Sequence, residues 1–372
     1  MKRWIGLLLA ALVSTAAWAQ NGVTADTILI GRSAGMTGGL ASRMKPATEA
    51  IQAYFDSVNA AGGVNGRRIK LITLDDGNDV KRAAENTRRL LEQDKVFTMF
   101  ANSGTSQSVA AIKITDEKRV PMIGTSSGAD SIQVFNPLVF HYKASYGQEL
   151  RRVAAHLQTM GIARAAVVFS PDPTGEEGRA QAEVALKAQG VAVVLATSTK
   201  PDDFNKLVAA IGGSAPPQAI VLTSLAGPGA AFFKALSALP QRPQVFTWSI
   251  IGVEAIHKEV GEKIRGLVVS QVFPSPQSER SALAVEYRNL MAAAKLGDGG
   301  YPGIEGYVAA RILVEGLRRA GRDLTREKLV QALEGMRGYD LGGDFVTFGP
   351  RDRVGRNFVE LTMVGADGRF IR

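Results

Sequence analysis

From Ile28 onward, short β-branched runs alternate with longer stretches whose apolar residues return every three or four positions. That alternation predicts βαβ units and parallel sheets. Ile28-Leu29-Ile30 reads as a first strand, and Ala47, Ile51, Tyr54, Phe55 and Val58 then share one helical face. Gly62-Gly63 ends that helix, because glycine accepts the left-handed conformation of a helix C-terminus. Strand 69–74 follows, and then a second amphipathic face made by Val80, Ala83, Ala84, Thr87, Leu90 and Leu91, with Asp79 as its N-cap. The unit repeats through strand 96–100, a helix over 105–118, and the strand-like Pro121-Met122-Ile123.

A second series begins after Tyr146. Strands are expected at 165–169, 191–196, 219–222, 245–248 and 267–272, with helices between them at 148–160, 176–188, 203–211, 228–239 and 253–260. Two such series predict an α/β protein of two doubly wound, parallel-sheet lobes. Beyond Phe273-Pro274-Ser275-Pro276 the pattern turns helical (282–294, 304–320, 325–333) and closes with strand-like runs at 345–348 and 359–364. No low-complexity linker separates the series, so the chain is expected to cross between lobes more than once. The resulting division is 20–143 plus 275–344 for the N-terminal lobe and 144–274 plus 345–372 for the C-terminal lobe.

Ahead of the first strand, Lys2 and Arg3 precede an apolar run from Ile5 to Val13, and Ala17-Trp18-Ala19 supplies small residues before Gln20. This is the pattern of a secretory signal peptide over 1–19, cleaved after Ala19, and it predicts an exported, periplasmic protein. The 372 residues carry 44 Lys+Arg against 35 Asp+Glu, a formal charge of +9, and no cysteine. Two lobes fit that length. Without cysteine there is no disulfide, zinc–thiolate or iron–sulfur chemistry. The cations are spread along helices, as in 82–89 and 311–326, without interleaved aromatics, so nucleic acid is not expected as a partner.

Several chemistries are excluded or weakened by spacing. There is no phosphate-binding G-x-x-x-x-G-K-[ST] run, and the three histidines (His141, His156, His257) are too scattered for a metal pair, so no cofactor or metal is expected. Asp75-Asp76 is read as a turn-capping pair at a strand end. Gly124-Thr125-Ser126-Ser127-Gly128 is formally the G-x-S-x-G of a hydrolase elbow, which makes an exported serine hydrolase using Ser126 the alternative reading. That elbow needs a long helix behind its serine, and Asn136-Pro137 shortens any helix here to about two turns. The same loop also reads as a polar hydroxyl loop at a strand's C-terminal end. Asn102-Ser103-Gly104-Thr105-Ser106 is its counterpart, placing hydroxyls and free amides at a helix N-terminus, which favours an anion such as a carboxylate. With Met36-Thr37, the two loops describe a small-molecule cleft at the carboxyl edge of a parallel sheet, lacking an acid–base pair.

At this point the chain resembles the periplasmic solute-binding proteins of ABC importers, specifically the leucine/isoleucine/valine-binding type with the type I periplasmic-binding fold. The resemblance is carried by Ile30-Gly31 with Gly35-Met36-Thr37-Gly38, Asn59-Ala60-Ala61-Gly62-Gly63-Val64-Asn65-Gly66-Arg67, Leu74-Asp75-Asp76, Asn86 to Leu91, Ser103-Gly104-Thr105, Lys143 to Glu149 and, more weakly, Gly266 to Gln271. It implies two lobes hinged by three crossovers, a ligand trapped by closure, an inner-membrane ABC permease as partner, and a monomer without enzymatic activity. It further implies that Ser103, Gly104, Thr105, Ser126, Ser127 and Gly128 hold a ligand carboxylate. By the same resemblance Arg43 and Tyr146 contact the ligand from the first loop and the first crossover, and Thr174, Ser224 and Ser249 do so from the second lobe.

One departure shapes the expected ligand. Members that bind amino acids usually offer the ligand ammonium an acid from the second lobe, yet Thr247-Trp248-Ser249-Ile250-Ile251 has none, and only a shifted register would bring Glu254 in. A buried unpaired ammonium is costly. The expected ligand is therefore a carboxylate that need not be an α-amino acid, such as an aromatic or aliphatic acid, with a branched-chain amino acid as the rival.

Overall fold

The structure is a computed structural model and describes residues 22–371; the expected leader over 1–19 lies outside the described residues. The first sheet comprises β1 (Thr27–Ala34), β2 (Arg68–Asp75), β3 (Thr98–Asn102), β4 (Met122–Thr125) and β5 (Val139–Phe140), in the order β2-β1-β3-β4-β5. All its pairings are parallel. The connecting helices are α1 (Ala41–Ala60), α2 (Val80–Glu92) and α3 (Thr105–Glu117). Asp79 caps α2 as its sequence position predicts, accepting from the Arg82 amide. The Asp75-Asp76 pair also works as expected: Asp75 Oδ1 accepts the amides of Met36, Thr37 and Gly77, and Asp76 Oδ1 that of Asn78.

The chain then enters the second lobe through α4 (Tyr146–Thr159), β6 (Arg164–Phe169), α5 (Pro173–Ala188), β7 (Ala192–Ser198), α6 (Pro201–Ile211), β8 (Ala219–Thr223), α7 (Ala226–Leu236), β9 (Gln244–Thr247), α8 (Val253–Val260) and β10 (Val268–Gln271). It returns to the first lobe as α9 (Ala282–Ala293), α10 (Gly300–Ala320), α11 (Arg326–Glu334) and a small hairpin of β11 (Tyr339–Asp340) and β12 (Phe345–Val346). A third crossing leads to β13 (Glu360–Val364) and β14 (Phe370–Ile371). The second sheet runs β14-β13-β10-β9-β8-β6-β7, and β13 and β14 are antiparallel additions to an otherwise parallel core. The chain thus has the two doubly wound lobes and three crossovers of the type I periplasmic-binding fold.

Each lobe has its own core. Phe55, Phe100, Phe140, Ile304, Leu313 and Leu333 belong to one, and Val167, Ile220, Phe246, Trp248 and Ile256 to the other. Helix α10 is apolar nearly all round because it is buried between α1 and α11. Gly306 lets it approach α1, since a Cβ there would lie 2.3 Å from the Ala47 carbonyl oxygen. Near the third crossing the division expected at 344/345 falls inside the hairpin: β12 pairs with β11, and Val346 and Phe348 pack into the first core.

Candidate ligand cleft

The carboxyl ends of β1, β3 and β4 face those of β6, β8 and β9 across a cavity of about 310 Å³. From the first lobe, Gly104, Thr105, Ser106, Ser126 and Ser127 supply its polar wall. Gly104 has φ +77°, and a Cβ there would strike the Gln107 side chain at 2.2 Å, so glycine is needed to turn β3 into α3. The opening amides of α3 have no preceding helical carbonyl to bond and lie at the positive end of the helix dipole. Thr105 Oγ1 and Ser127 Oγ are 2.8 Å apart. The Ser126 amide donates to the Asn102 carbonyl (2.7 Å), and the Ser126 carbonyl accepts from Lys143 Nζ (2.6 Å), so the serine loop is pinned from both sides.

Tyr146 lines the cavity, its ring centroid 4.9 Å from that of Trp248 and the two planes tilted by 47°. Burial pushes its hydroxyl up to about 12, so it stays protonated. The second lobe contributes Asp172, Pro173, Thr174, Leu225 and Ile250. Leu40, Met44 and Val80 add apolar surface from the first lobe. Asp172 is the N-cap of α5, its Oδ1 accepting the Thr174 and Gly175 amides at 3.0 Å each. It stands at the end of β6 as the serine loop stands at the end of β4, two residues before Thr174, which the family resemblance implied. An acidic side chain, Asp172, therefore lines the cleft from the second lobe, although 247–251 offers none.

Of the expected contacts, Arg43, Gly104, Thr105, Ser126, Ser127, Tyr146 and Thr174 line the cavity, and Ser103, Gly128, Ser224 and Ser249 lie behind its walls. Ser103 Oγ accepts the Gly35 amide (2.8 Å), tying the first loop to the third strand. Gly128 sits beneath Tyr146, where a Cβ would meet the ring at 3.0 Å. Ser224 Oγ donates to the Leu225 carbonyl (3.0 Å), and the Ser224 carbonyl accepts Trp248 Nε1 (2.9 Å). Ser249 gives its amide (2.7 Å) and hydroxyl (2.9 Å) to the buried Glu149 carboxylate, which also accepts from Ser270 (2.6 Å). Burial raises the Glu149 carboxyl above its ordinary value, and these bonds oppose the rise.

Arg43 lines the cavity with both terminal nitrogens already engaged. Nη2 donates to Glu305 Oε2 (3.0 Å) and Nη1 reaches the Ser249 carbonyl of the opposite lobe (3.2 Å). Glu305 is held in turn by Lys143 Nζ (2.7 Å) and the Tyr142 hydroxyl (3.2 Å). Burial lowers the Lys143 ammonium's pKa, and Glu305 opposes that shift.

The hydrolase elbow is not formed. After β4 only a single 3₁₀ turn, Asp130–Ile132, follows the serine loop. Ser126 Oγ meets the Met44 thioether at 3.6 Å, and His257 Nε2 faces the Ala366 carbonyl at 3.3 Å. Among the described residues no group of three or more His, Asp or Glu is placed to hold a metal, and no helix is long and apolar enough to cross a membrane.

Two lobes crossed three times, facing each other over a small cavity with donors on one wall and apolar side chains on both, define a two-lobed solute binder. Residues 27–369 match the family described as periplasmic binding protein, and the chain belongs to that family. It is similar to an amino acid binding protein of Pseudomonas aeruginosa, 28% identical over 213 residues that cover 56% of each chain. The chain spans about half the length of the curated relatives it matches. Among solved structures it is similar to a substrate-binding periplasmic protein from Ralstonia solanacearum (31% identity, TM-score 0.83, 92% of this chain and 99% of that one). It is also similar to a possible leucine/isoleucine/valine-binding protein from Rhodopirellula baltica (26% identity, TM-score 0.84, 94% and 97%).

Proposed function

We propose that this chain captures a small carboxylate-bearing solute with an apolar body in the interlobe cleft, in the periplasm, and delivers it to an inner-membrane ABC permease. The observation that carries the reading is the open N-terminus of α3 beside the Thr105–Ser127 hydroxyl pair. Hydrogen bonds to an ionised group contribute about 1.5–3 kcal/mol each, so two or three of them outweigh the loss of carboxylate hydration. Leu40, Met44, Val80, Leu225 and Ile250 suit an aliphatic body and offer little to a sugar.

An aliphatic α-amino acid is the member of this class favoured by a further observation. Asp172 leaves one carboxylate oxygen beyond its two capping bonds on the wall opposite the donors, where a ligand ammonium would otherwise go unpaired. The name of the Pseudomonas aeruginosa relative points the same way. The test is a thermal-shift panel of amino acids, simple acids, amines and sugars. A ligand at 100 times its Kd stabilises the folded state by about 2.7 kcal/mol, and acids and amino acids are expected to do so while matched amines and sugars do not.

A further inference from the structure

A second cavity, of about 220 Å³, lies beside the ligand cleft, bounded by Pro46 of α1, Glu254 of α8 and the Asp298-Gly299-Gly300 turn before α10. Arg43 is the one residue that lines both spaces. Its guanidinium is anchored at Glu305 in one lobe and at the Ser249 carbonyl in the other, so it stands as a fixed partition across the interlobe space. Two of its five N–H donors are given to partners in opposite lobes that hold the guanidinium in place, so a solute in the cleft meets Arg43 as a fixed wall. The wall is stiff, since Glu305 is itself fixed by Lys143 and Tyr142, and Ser249 by Glu149.

We propose that Arg43 sets the upper length of the ligand. This rests on the carboxylate reading above: with the carboxylate at Thr105 and Ser127, the apolar body extends away from that wall, and Arg43 closes the space before the second cavity begins. Acids short enough for the first cavity are accepted, and longer ones collide with a side chain that cannot swing away without giving up bonds in both lobes. Removing the side chain joins the two cavities and admits a longer chain.

The experiment is calorimetric titration of straight-chain acids from pentanoate to decanoate into the wild type, Arg43→Ala and Arg43→Met. Each methylene that finds apolar surface tightens binding about fourfold. Wild-type affinity should climb with length and then fall by tenfold or more once the cavity is full. In Arg43→Ala the fall should move to longer acids, so that the preference between a short and a long acid reverses. Arg43→Met loses the same anchors but keeps a bulky side chain, so any effect of weakened lobe closure is shared and only the alanine variant should show the reversal. Identical length profiles for the alanine and methionine variants would overturn the proposal. Failure of every acid to bind the wild type would instead overturn the carboxylate reading beneath it.

Discussion

Thr105 Oγ1 lies 2.8 Å from Ser127 Oγ, so the loops that follow β3 and β4 meet hydroxyl to hydroxyl on one wall of the cleft. One proton bridges the pair, and Ser127 Oγ also accepts the Ala129 amide at 3.2 Å, which fixes both hydroxyls on the cavity wall. Thr105→Val removes one hydroxyl while keeping the shape. It should weaken a carboxylate ligand by roughly 10- to 100-fold, the worth of one hydrogen bond to an ionised group, with the unfolding midpoint nearly unchanged. Calorimetry and a denaturant titration on the same preparation check both halves.

Asp172→Asn separates capping from ligand charge. Asparagine caps a helix about as well as aspartate, so α5 and overall stability should be kept. Affinity for an aliphatic α-amino acid should fall by tenfold or more, and that for the des-amino acid of the same skeleton should stay within about twofold. An equal loss for both ligands would assign Asp172 to helix capping alone.

The same glycine-to-alanine change should have opposite signs at two sites. At Gly178 a new Cβ would lie 2.3 Å from the Trp248 ring, which packs against the cavity-lining Tyr146. Overpacking of this kind costs about 1–3 kcal/mol, and the tryptophan emission should shift with it. At Gly39, in the turn that opens α1, nothing lies within 4 Å of the added methyl and φ is outside the left-handed region, so replacement should stabilise by about 0.4–1 kcal/mol.

His141 is buried at the end of β5, and burial lowers its imidazole to about 4 from an ordinary 6.5. Between those values the unfolded chain takes up a proton that the folded chain refuses. Stability is therefore fully present above about 6.5, falls as the pH drops toward about 4, and levels off below it. The loss is on the order of 3 kcal/mol. The Asp76 and Glu149 carboxyls are raised and act with the opposite sign, so the diagnostic quantity is the difference between wild type and His141→Gln. That difference should shrink steadily as the pH falls through the window, and a pH-independent difference would contradict the assignment.

Most elements were legible because their periods are strong: Ala83, Thr87, Leu90 and Leu91 form the buried face of α2 and Asp79 its cap where the pattern puts them, while Val80, expected on that face, is exposed at the cleft. The two-residue β5 is too short to carry a period. The strand pattern at 359–364 is real, but alternation along one strand does not encode whether its neighbour runs parallel, and β13 proves antiparallel to β10. In the cleft, chain position identified the loops but not the direction of each side chain: Thr105 faces the cavity, and Ser103 two residues earlier turns inward to Gly35. Glu149 and Glu305 were invisible as organising groups because their partners are far away in the chain, with Ser249 100 and Lys143 162 positions distant. Asp172 was within reach, since it ends a strand and opens a helix as the recognised loops do.

The proposed function rests on a carboxylate held at the start of α3 and the serine loop. Its most direct test is a set of three calorimetric titrations into the purified wild-type protein, using leucine, 4-methylpentanoate and 3-methylbutylamine. These share one aliphatic body and differ only in which charged groups they carry. Leucine and 4-methylpentanoate should bind and the amine should not, and Thr105→Val should weaken both binders. Binding of the amine, or of leucine with an affinity indifferent to Thr105, would contradict the proposed function.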